Sequence, residues 1–286
     1  MLDPRRLLTF RAVAQAGSFS AAARELSLTQ PAVSQQVAAL ERELGARLLH
    51  RGPVGLTLTD AGTVALDHAQ ALAARLALAD AQLAELGDDR AALRVGGFPS
   101  ALATLVPAAI ASVVPQRVEA VEGTVEQLAA QVADGSLHVA VLFQDAAAPP
   151  REHPGLRRHD LLEEPFVITV GPEHRLARRR TVRLAELARD RWVAPSDRGI
   201  VRNACVAAGF EPDIAFVARD VLAIRALVAA GLGVTLTPRL IAGHLHGVPV
   251  LELRDDPPRR ALYALTPRTG TRAAARNFLD ALRAVV

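Results

Sequence analysis

The stretch Thr29-Gln30-Pro31-Ala32-Val33-Ser34-Gln35-Gln36-Val37-Ala38-Ala39-Leu40-Glu41-Arg42-Glu43-Leu44-Gly45 constrains this chain more than any other. Val33, Val37, Leu40 and Leu44 recur at helical spacing, so one stripe of a helix is apolar and needs burial. Thr29 suits the N-cap, Pro31 the first turn, where no N–H partner is lost, and Gly45 the stop. The opposite face carries Gln30, Ser34, Gln35 and Arg42. A helix needing only solubility would show Glu and Lys there. Flat or short donors and acceptors instead match base edges and phosphate oxygens when a helix lies in a major groove.

Upstream, Ser18 to Leu28 reads as a second short helix with Phe19, Ala22, Ala23 and Leu26 turned inward, small enough for a close crossing. Downstream, Arg47 to Arg51, then Gly52-Pro53-Val54-Gly55, then Leu56 to Leu58 reads as strand, tight connection, strand. Such a wing would set Arg51 against a phosphate backbone or minor groove. The plain alternative is a helical core with an ordinary hairpin. Helix pair, polar outer face and wing arrive together and in order, which favours DNA. The candidate contacts are Ser20, Thr29, Gln30, Pro31, Ser34, Gln35, Arg42 and Arg51.

The segments Leu8-Thr9-Phe10-Arg11-Ala12-Val13-Ala14, Gly17 to Ala23, Gln30 to Val37, Leu40-Glu41, Leu44-Gly45, Leu48-Leu49, Arg51 and Leu58-Thr59-Asp60-Ala61-Gly62 together resemble the LysR-type transcriptional regulators of bacteria. The likeness is closest from the N-terminus through the long helix that follows the wing, and holds in outline beyond it. It implies a winged helix-turn-helix DNA reader, a long dimerising helix and a two-lobed domain that senses a small molecule.

At 286 residues, half of them apolar, the chain can fill more than one core. All 33 basic residues are Arg, a bias that says little about function. The formal charge is +3, but residues 1 to 60 carry seven Arg against five acids. The basic excess is therefore not concentrated in the reading head, and only a moderate salt dependence of DNA binding follows. The single Cys205 rules out an intrachain disulfide and fits the cytosol. Met1 to Arg6 leads straight into an amphipathic helix with no export signal, and no run reaches membrane-spanning length, so a cytoplasmic protein is expected.

The expected organisation is a winged helix-turn-helix over 1–58, a linker and dimerisation helix over 59–88, and an α/β effector-binding domain over 89–286. Asp3 to Gln15 forms the first helix and buries Leu7, Phe10 and Val13. Thr59-Asp60-Ala61-Gly62 caps a helix running to about Leu86, along which Ala65, Ala69, Leu72, Leu76, Ala79, Leu83 and Leu86 make a seam for another helix. The seam predicts a homodimer addressing two half-sites of a pseudo-palindromic duplex, with pairing of dimers into a homotetramer left open. Packing against the chain's own second domain is the alternative.

Gly87-Asp88-Asp89-Arg90 ends the helix. Beyond it strands alternate with helices, which predicts parallel sheets covered by helices. The strands are Ala92 to Gly97, Val118 to Glu122, His138 to Phe143, Phe166 to Val170, Trp192 to Ala194, Ile214 to Val217, Val234 to Thr237, Val248 to Leu253 and Ala261 to Thr266. One helix is expected from Ser100 to about Val114. The second half of this series sits inside the first, so two lobes joined by two crossings are expected, as in periplasmic solute-binding proteins. Lobe I is 89–160 and 263–286, lobe II is 161–262, and the crossings fall near Leu161 and Leu262.

Ligands of open parallel sheets bind outside the carboxyl ends of strands. Gly96 to Ser100, Gly123-Thr124 and Pro195 to Gly199 qualify. Ser100, Thr124 and Ser196 offer hydroxyls, Phe98 and Phe143 apolar walls, and Thr237 a cleft-lining strand end. These resemble inducer-contacting positions of LysR-type sensor domains, although Ser and Thr before helices are also ordinary caps. Helix N-termini favour an anionic effector, a carboxylate or an amino acid. Asp197 opposes one unless Arg198 offsets it. His138 stands where the family commonly has Asp and reads as a solvated surface residue. No metal-spaced His and Cys cluster or nucleophile elbow is present, Cys205 reads as core, and neither an enzyme nor a cofactor is expected. The rival reading is a two-lobed solute-binding protein without a gene-regulatory role. A nonspecific architectural DNA protein fits the low charge of the first sixty residues poorly.

Overall fold

The computed structural model describes residues 2–52, 55–84, 92–113 and 117–286, with the backbone but not the side chains of Arg51, Gly52 and Gly55. The chain forms two compact units, Met1–Leu86 with Ala133–Gly135 and Gly87–Val132 with Ser136–Val286. The Pro53-Val54 turn, Leu86, the Gly87 to Arg90 break and Val114 lie outside the described residues.

In the first unit α1 (Pro4–Ala16) starts on Asp3, whose carboxylate accepts the Arg5 N–H, and α2 (Phe19–Glu25) starts on Ser18, whose hydroxyl accepts the Ala21 N–H. Thr29 caps α3 (Gln30–Leu44) by accepting the Ala32 N–H, and Gly45 closes it at φ 65°. Strands β1 (Leu49–Gly52) and β2 (Gly55–Leu58) pair antiparallel as the wing. Then α4 (Asp60–Ala84) leaves the domain. Phe10, Val13, Ala22, Val33, Val37, Leu40 and Leu48 form the shared core. Leu44 departs from the expected stripe and is 40% exposed. The core ends at Leu40, and the last turn is held by the Arg6–Glu43 ion pair instead.

The Thr59-Asp60-Ala61-Gly62 run is a joint between wing and long helix. The Thr59 hydroxyl donates to the Arg47 carbonyl at 2.7 Å and accepts the Gly62 N–H at 2.9 Å. A Cβ on Gly62 would sit 2.0 Å from the Leu48 carbonyl oxygen, so only glycine fits. Gly62→Ala is expected to cost the N-terminal unit about 1–3 kcal/mol through forced backbone displacement. An unfolding midpoint equal to that of the parent would contradict this close approach.

The expected α4 seam is split. Ala65 and Ala69 are buried in the winged-helix core and Leu72 packs on it, because the first turns of α4 lie along α1. Leu76 and Leu83 are 47% and 64% exposed, and Ala79 is exposed between them.

The second unit runs β3 (Leu93–Gly97), α5 (Pro99–Leu102), α6 (Leu105–Ser112), β4 (Val118–Glu122), α7 (Val125–Ala133), β5 (Val139–Asp145), β6 (Leu156–Thr169), β7 (Thr181–Val182), β8 (Arg191–Ala194), α8 (Ile200–Ala207), β9 (Asp213–Val217), α9 (Val221–Ala229), β10 (Thr235–Pro238), α10 (Arg239–Ala242), β11 (Val250–Leu253), β12 (Arg259–Pro267) and α11 (Ala273–Ala284). The single helix expected from Ser100 is two, because Thr104 leaves helical geometry at φ −135° and ψ −81° and its hydroxyl donates back to the Ser100 carbonyl.

β3 is parallel to β4 and β5, whereas β12 is antiparallel to β5 and β6, so the sheet is mixed. β6 pairs with β12 over Leu156–Pro165, then with β10 and β11 over Phe166–Thr169. The crossing therefore falls at Pro165 and Phe166 rather than near Leu161, and the return falls between β11 and β12 rather than near Leu262. Two cores result. Val95, Val141, Leu262 and Phe278 centre lobe I, while Ile168, Leu187, Trp192 and Leu251 centre lobe II.

His138 is not a solvated surface residue. It is buried, and its Nδ1 accepts the Arg94 N–H at 2.9 Å, tying the entrance of β5 to β3.

Candidate nucleic-acid interface and interlobe site

A helix turns about 100° per residue, so the burial of Val33, Val37 and Leu40 aims Pro31, Gln35 and Arg42 outward. Gln30, Pro31, Gln35 and Arg42 are exposed, and Ser34 is half-buried on the flank of the same helix. Arg42 Nε donates to the Ala38 carbonyl at 3.3 Å, which lays the guanidinium along the helix. Thr29 is exposed but its hydroxyl is engaged as the cap, 3.4 Å from the Ala32 nitrogen. Ser20 is exposed in the first turn of α2. Arg51 lies in β1 opposite Leu56, and its side chain is outside the described residues. One face of α3 thus carries the hydrogen-bonding groups that the spacing predicts, on a helix locked from behind. Thr9 Oγ1 lies 2.5 Å from Gln36 Oε1, and Glu41 Oε1 accepts the Leu48 N–H at 2.8 Å.

In the second unit an ion pair sits where β6 changes partners. Arg260 and Glu164 face each other across β12 and β6 and are 3% and 4% exposed. Arg260 Nε donates to Glu164 Oε1 at 2.7 Å, and Arg260 Nη2 donates to Ser100 Oγ at 2.9 Å. The second oxygen of Glu164 accepts the Leu240 N–H at 2.7 Å, at the start of α10. Phe98, Phe143 and Phe166 surround the guanidinium, their ring centroids 4.8, 5.1 and 5.9 Å from Arg260 Cζ, within cation–π range. Burial pulls the Arg260 pKa down and Glu164 opposes that pull. One chain of hydrogen bonds therefore joins α5 to α10 through Arg260 at the start of β12 and Glu164 on the crossing strand β6.

Phe98, Ser100 and Phe143 are brought together, but around an Arg–Glu pair absent from the sequence reading, and the Ser100 hydroxyl is buried against Arg260. The signal was a charge at the entrance of an otherwise apolar strand and a second one in front of Pro165-Phe166. The remaining candidates make no hydrogen bond to that pair; Thr124 follows β4, beside the end of β3. Thr124 is exposed, and it exchanges two hydrogen bonds with Gln127 as the cap of α7. Ser196 folds its hydroxyl onto the Arg198 carbonyl inside its own loop, with Asp197 exposed beside it. Thr237 is buried with its Oγ1 2.7 Å from Thr169 Oγ1. It pairs opposite Val167, and alternation along β6 turns it away from the face that holds Glu164 and Phe166.

Cys205 is buried in the lobe II core, and burial pushes its thiol up to about 12, Glu211 adding to the effect. Such a thiol is almost wholly protonated at neutral pH and a poor nucleophile. Among the described residues no helix is long and apolar enough to cross a membrane, and no group of three His, Cys, Asp or Glu side chains could hold a metal ion.

Residues 4–63 match the family model described as bacterial regulatory helix-turn-helix protein, lysR family, and residues 87–286 match the LysR substrate binding domain. The small neutral protease regulatory protein of Streptomyces coelicolor is 34% identical over 275 residues, covering 92% of this chain and 86% of that protein. The DNA-binding transcriptional dual regulator OxyR of Escherichia coli K12 is 27% identical over 290 residues, covering 96% and 92%. Among solved structures, ArgP from Mycobacterium tuberculosis superposes with a TM-score of 0.68 at 23% identity, covering 100% of this chain and 97% of that one, which establishes the likeness of fold.

Proposed function

Because the chain belongs to the LysR family of bacterial transcriptional regulators, we propose that α3 of two copies reads a pseudo-palindromic promoter site while the crossing-strand region of the second unit receives a small-molecule effector. DNA binding and effector binding follow from the family; the residues, the dimer and the effector chemistry are our reading. A solute-binding protein without a regulatory role would leave the match of residues 4–63 unexplained. We place the protein in the cytoplasm, where its duplex is, and assign it no catalytic activity.

The observation that carries the DNA reading is the exposed face of Pro31, Gln35 and Arg42 on a helix whose reverse is fully packed. Gln35 is the side chain best suited to a two-point contact with adenine. Gln35→Ala is therefore expected to weaken binding to a selected operator by about 1–3 kcal/mol while leaving random duplex affinity unchanged. Fluorescence anisotropy on both duplexes checks this, and an unaltered ratio of the two affinities removes Gln35 from base readout.

For the effector, Ser100, Phe98 and Phe143 mark the carboxyl end of β3 and the wall beside it. The Arg260–Glu164 pair is buried behind that wall and neutral overall, so an effector reaches it only by drawing one partner away from the other. An amino acid matches this better than a bare carboxylate, because it carries a carboxylate for Arg260 and an ammonium for Glu164. Some relatives are described as hydrogen peroxide-inducible genes activators. The buried, protonated Cys205 and the lack of a second cysteine give thiol oxidation no support here.

A further inference from the structure

Beside the reading helix lies a groove of about 300 Å³, bounded by α3, the first turn of α2 and the base of the wing. We propose that it seats the sugar-phosphate strand separating the major groove entered by α3 from the adjacent minor groove, with Arg47 as a phosphate contact. The proposal rests on the DNA-binding reading of α3 and extends it to a second surface.

The argument begins with the duplex. A helix in one groove and a wing against the next are necessarily separated by one backbone strand, which must cross the gap between them. The groove is that gap: Ser34 lines it on the α3 side, Arg47 and His50 on the wing side. Val37 and Leu49, both buried, and the partly buried Phe19 give it an apolar floor suited to the deoxyribose face. Arg47 is exposed, and its guanidinium has no hydrogen bond or ion pair among the described residues, whereas Arg6 is held by Glu43. The backbone of Arg47 is fixed nonetheless, because its carbonyl accepts the Thr59 hydroxyl. A pinned main chain with an uncommitted guanidinium on the rim is a placed cation, as a head with little excess charge requires. Glu41 is the acid in the groove, and its Oε1 is turned to the Leu48 and Leu49 amides at 2.8 and 3.4 Å. It holds the base of the wing, and the two N–H dipoles offset its charge.

The test is affinity against salt for the full-length protein on a selected operator duplex and on a scrambled one. Arg47→Gln is expected to weaken both equally, by about three- to tenfold, and to make the plot of log affinity against log salt shallower by about one unit. Arg283→Gln, on α11, serves as the matched loss of charge and leaves the slope alone. A slope for Arg47→Gln equal to that of the parent, or a loss confined to the operator, overturns the proposal. Failure of the parent to bind either duplex would overturn the reading of α3 as well, so the two failures are distinguishable. Because Arg47 is exposed, an unfolding midpoint unchanged in the variant separates lost contact from lost fold.

Discussion

Arg260→Met is expected to destabilise the C-terminal unit by about 3–5 kcal/mol, because it strands a buried carboxylate. Glu164 would keep only the Leu240 N–H, at 4% exposure, with Ser100 Oγ also losing its donor. Glu164→Leu strands the guanidinium instead and should cost about as much, since cation–π contact with three Phe rings does not replace a counter-charge. Both substitutions together remove both charges at similar volume, so the double variant should lie well above either single one. Denaturant unfolding of the four proteins gives the coupling energy directly. Single variants each within about 1 kcal/mol of the parent would mean that the pair is solvated and cannot tie the lobes together.

On the effector reading proposed above, the same chain of contacts would give the pair a part in signalling as well as stability. Ser100 belongs to α5, Leu240 to α10, and of the charges between them Glu164 lies on β6, the strand that passes from lobe to lobe, and Arg260 at the start of β12 beside it. An effector that draws Arg260 or Glu164 toward itself changes a bond to the other lobe. It thereby acquires the differential contact energy that any ligand-driven shift requires.

How much of this was legible in sequence depends on the range of the interaction. α3 was readable because its cap, its first-turn proline, its apolar stripe and its terminal glycine act over a few residues, and the same holds for the Thr59 to Gly62 joint. The first half of β6 was not. Arg157, Arg158, His159, Asp160 and Glu163 give it the polarity of a loop, and it is a strand because β12 pairs with it. Arg260 was invisible for the same reason, since Glu164 is 96 residues away in sequence and Ser100 160. Thr124 and Ser196 show the converse. Their positions before helices were correct as local geometry, but capping and a turn hydrogen bond already occupy their hydroxyls. His138 failed differently: a histidine at a strand entrance is polar by type, yet its ring nitrogen serves the backbone of the neighbouring strand.

Leu76→Arg is expected to lower operator affinity by about 10²–10⁴-fold while leaving each winged helix folded, because a second reading head is then no longer tethered to the first. The structure locates where this must act. The early turns of α4 are spent on the chain's own core through Ala65, Ala69 and Leu72, so a charge there would damage the fold. Leu76 and Leu83 come one heptad apart on the later turns, exposed, with Ala79 between them small enough for close helix approach. A guanidinium at Leu76 sits outside the domain core and opposes a partner helix through desolvation and repulsion from its own symmetry mate. Sedimentation should show monomers, and anisotropy should show affinity for a single half-site unchanged. Dimers of unaltered stability would mean that the later turns of α4 do not hold two copies together, and the half-site spacing of the operator would then have to be set by another surface.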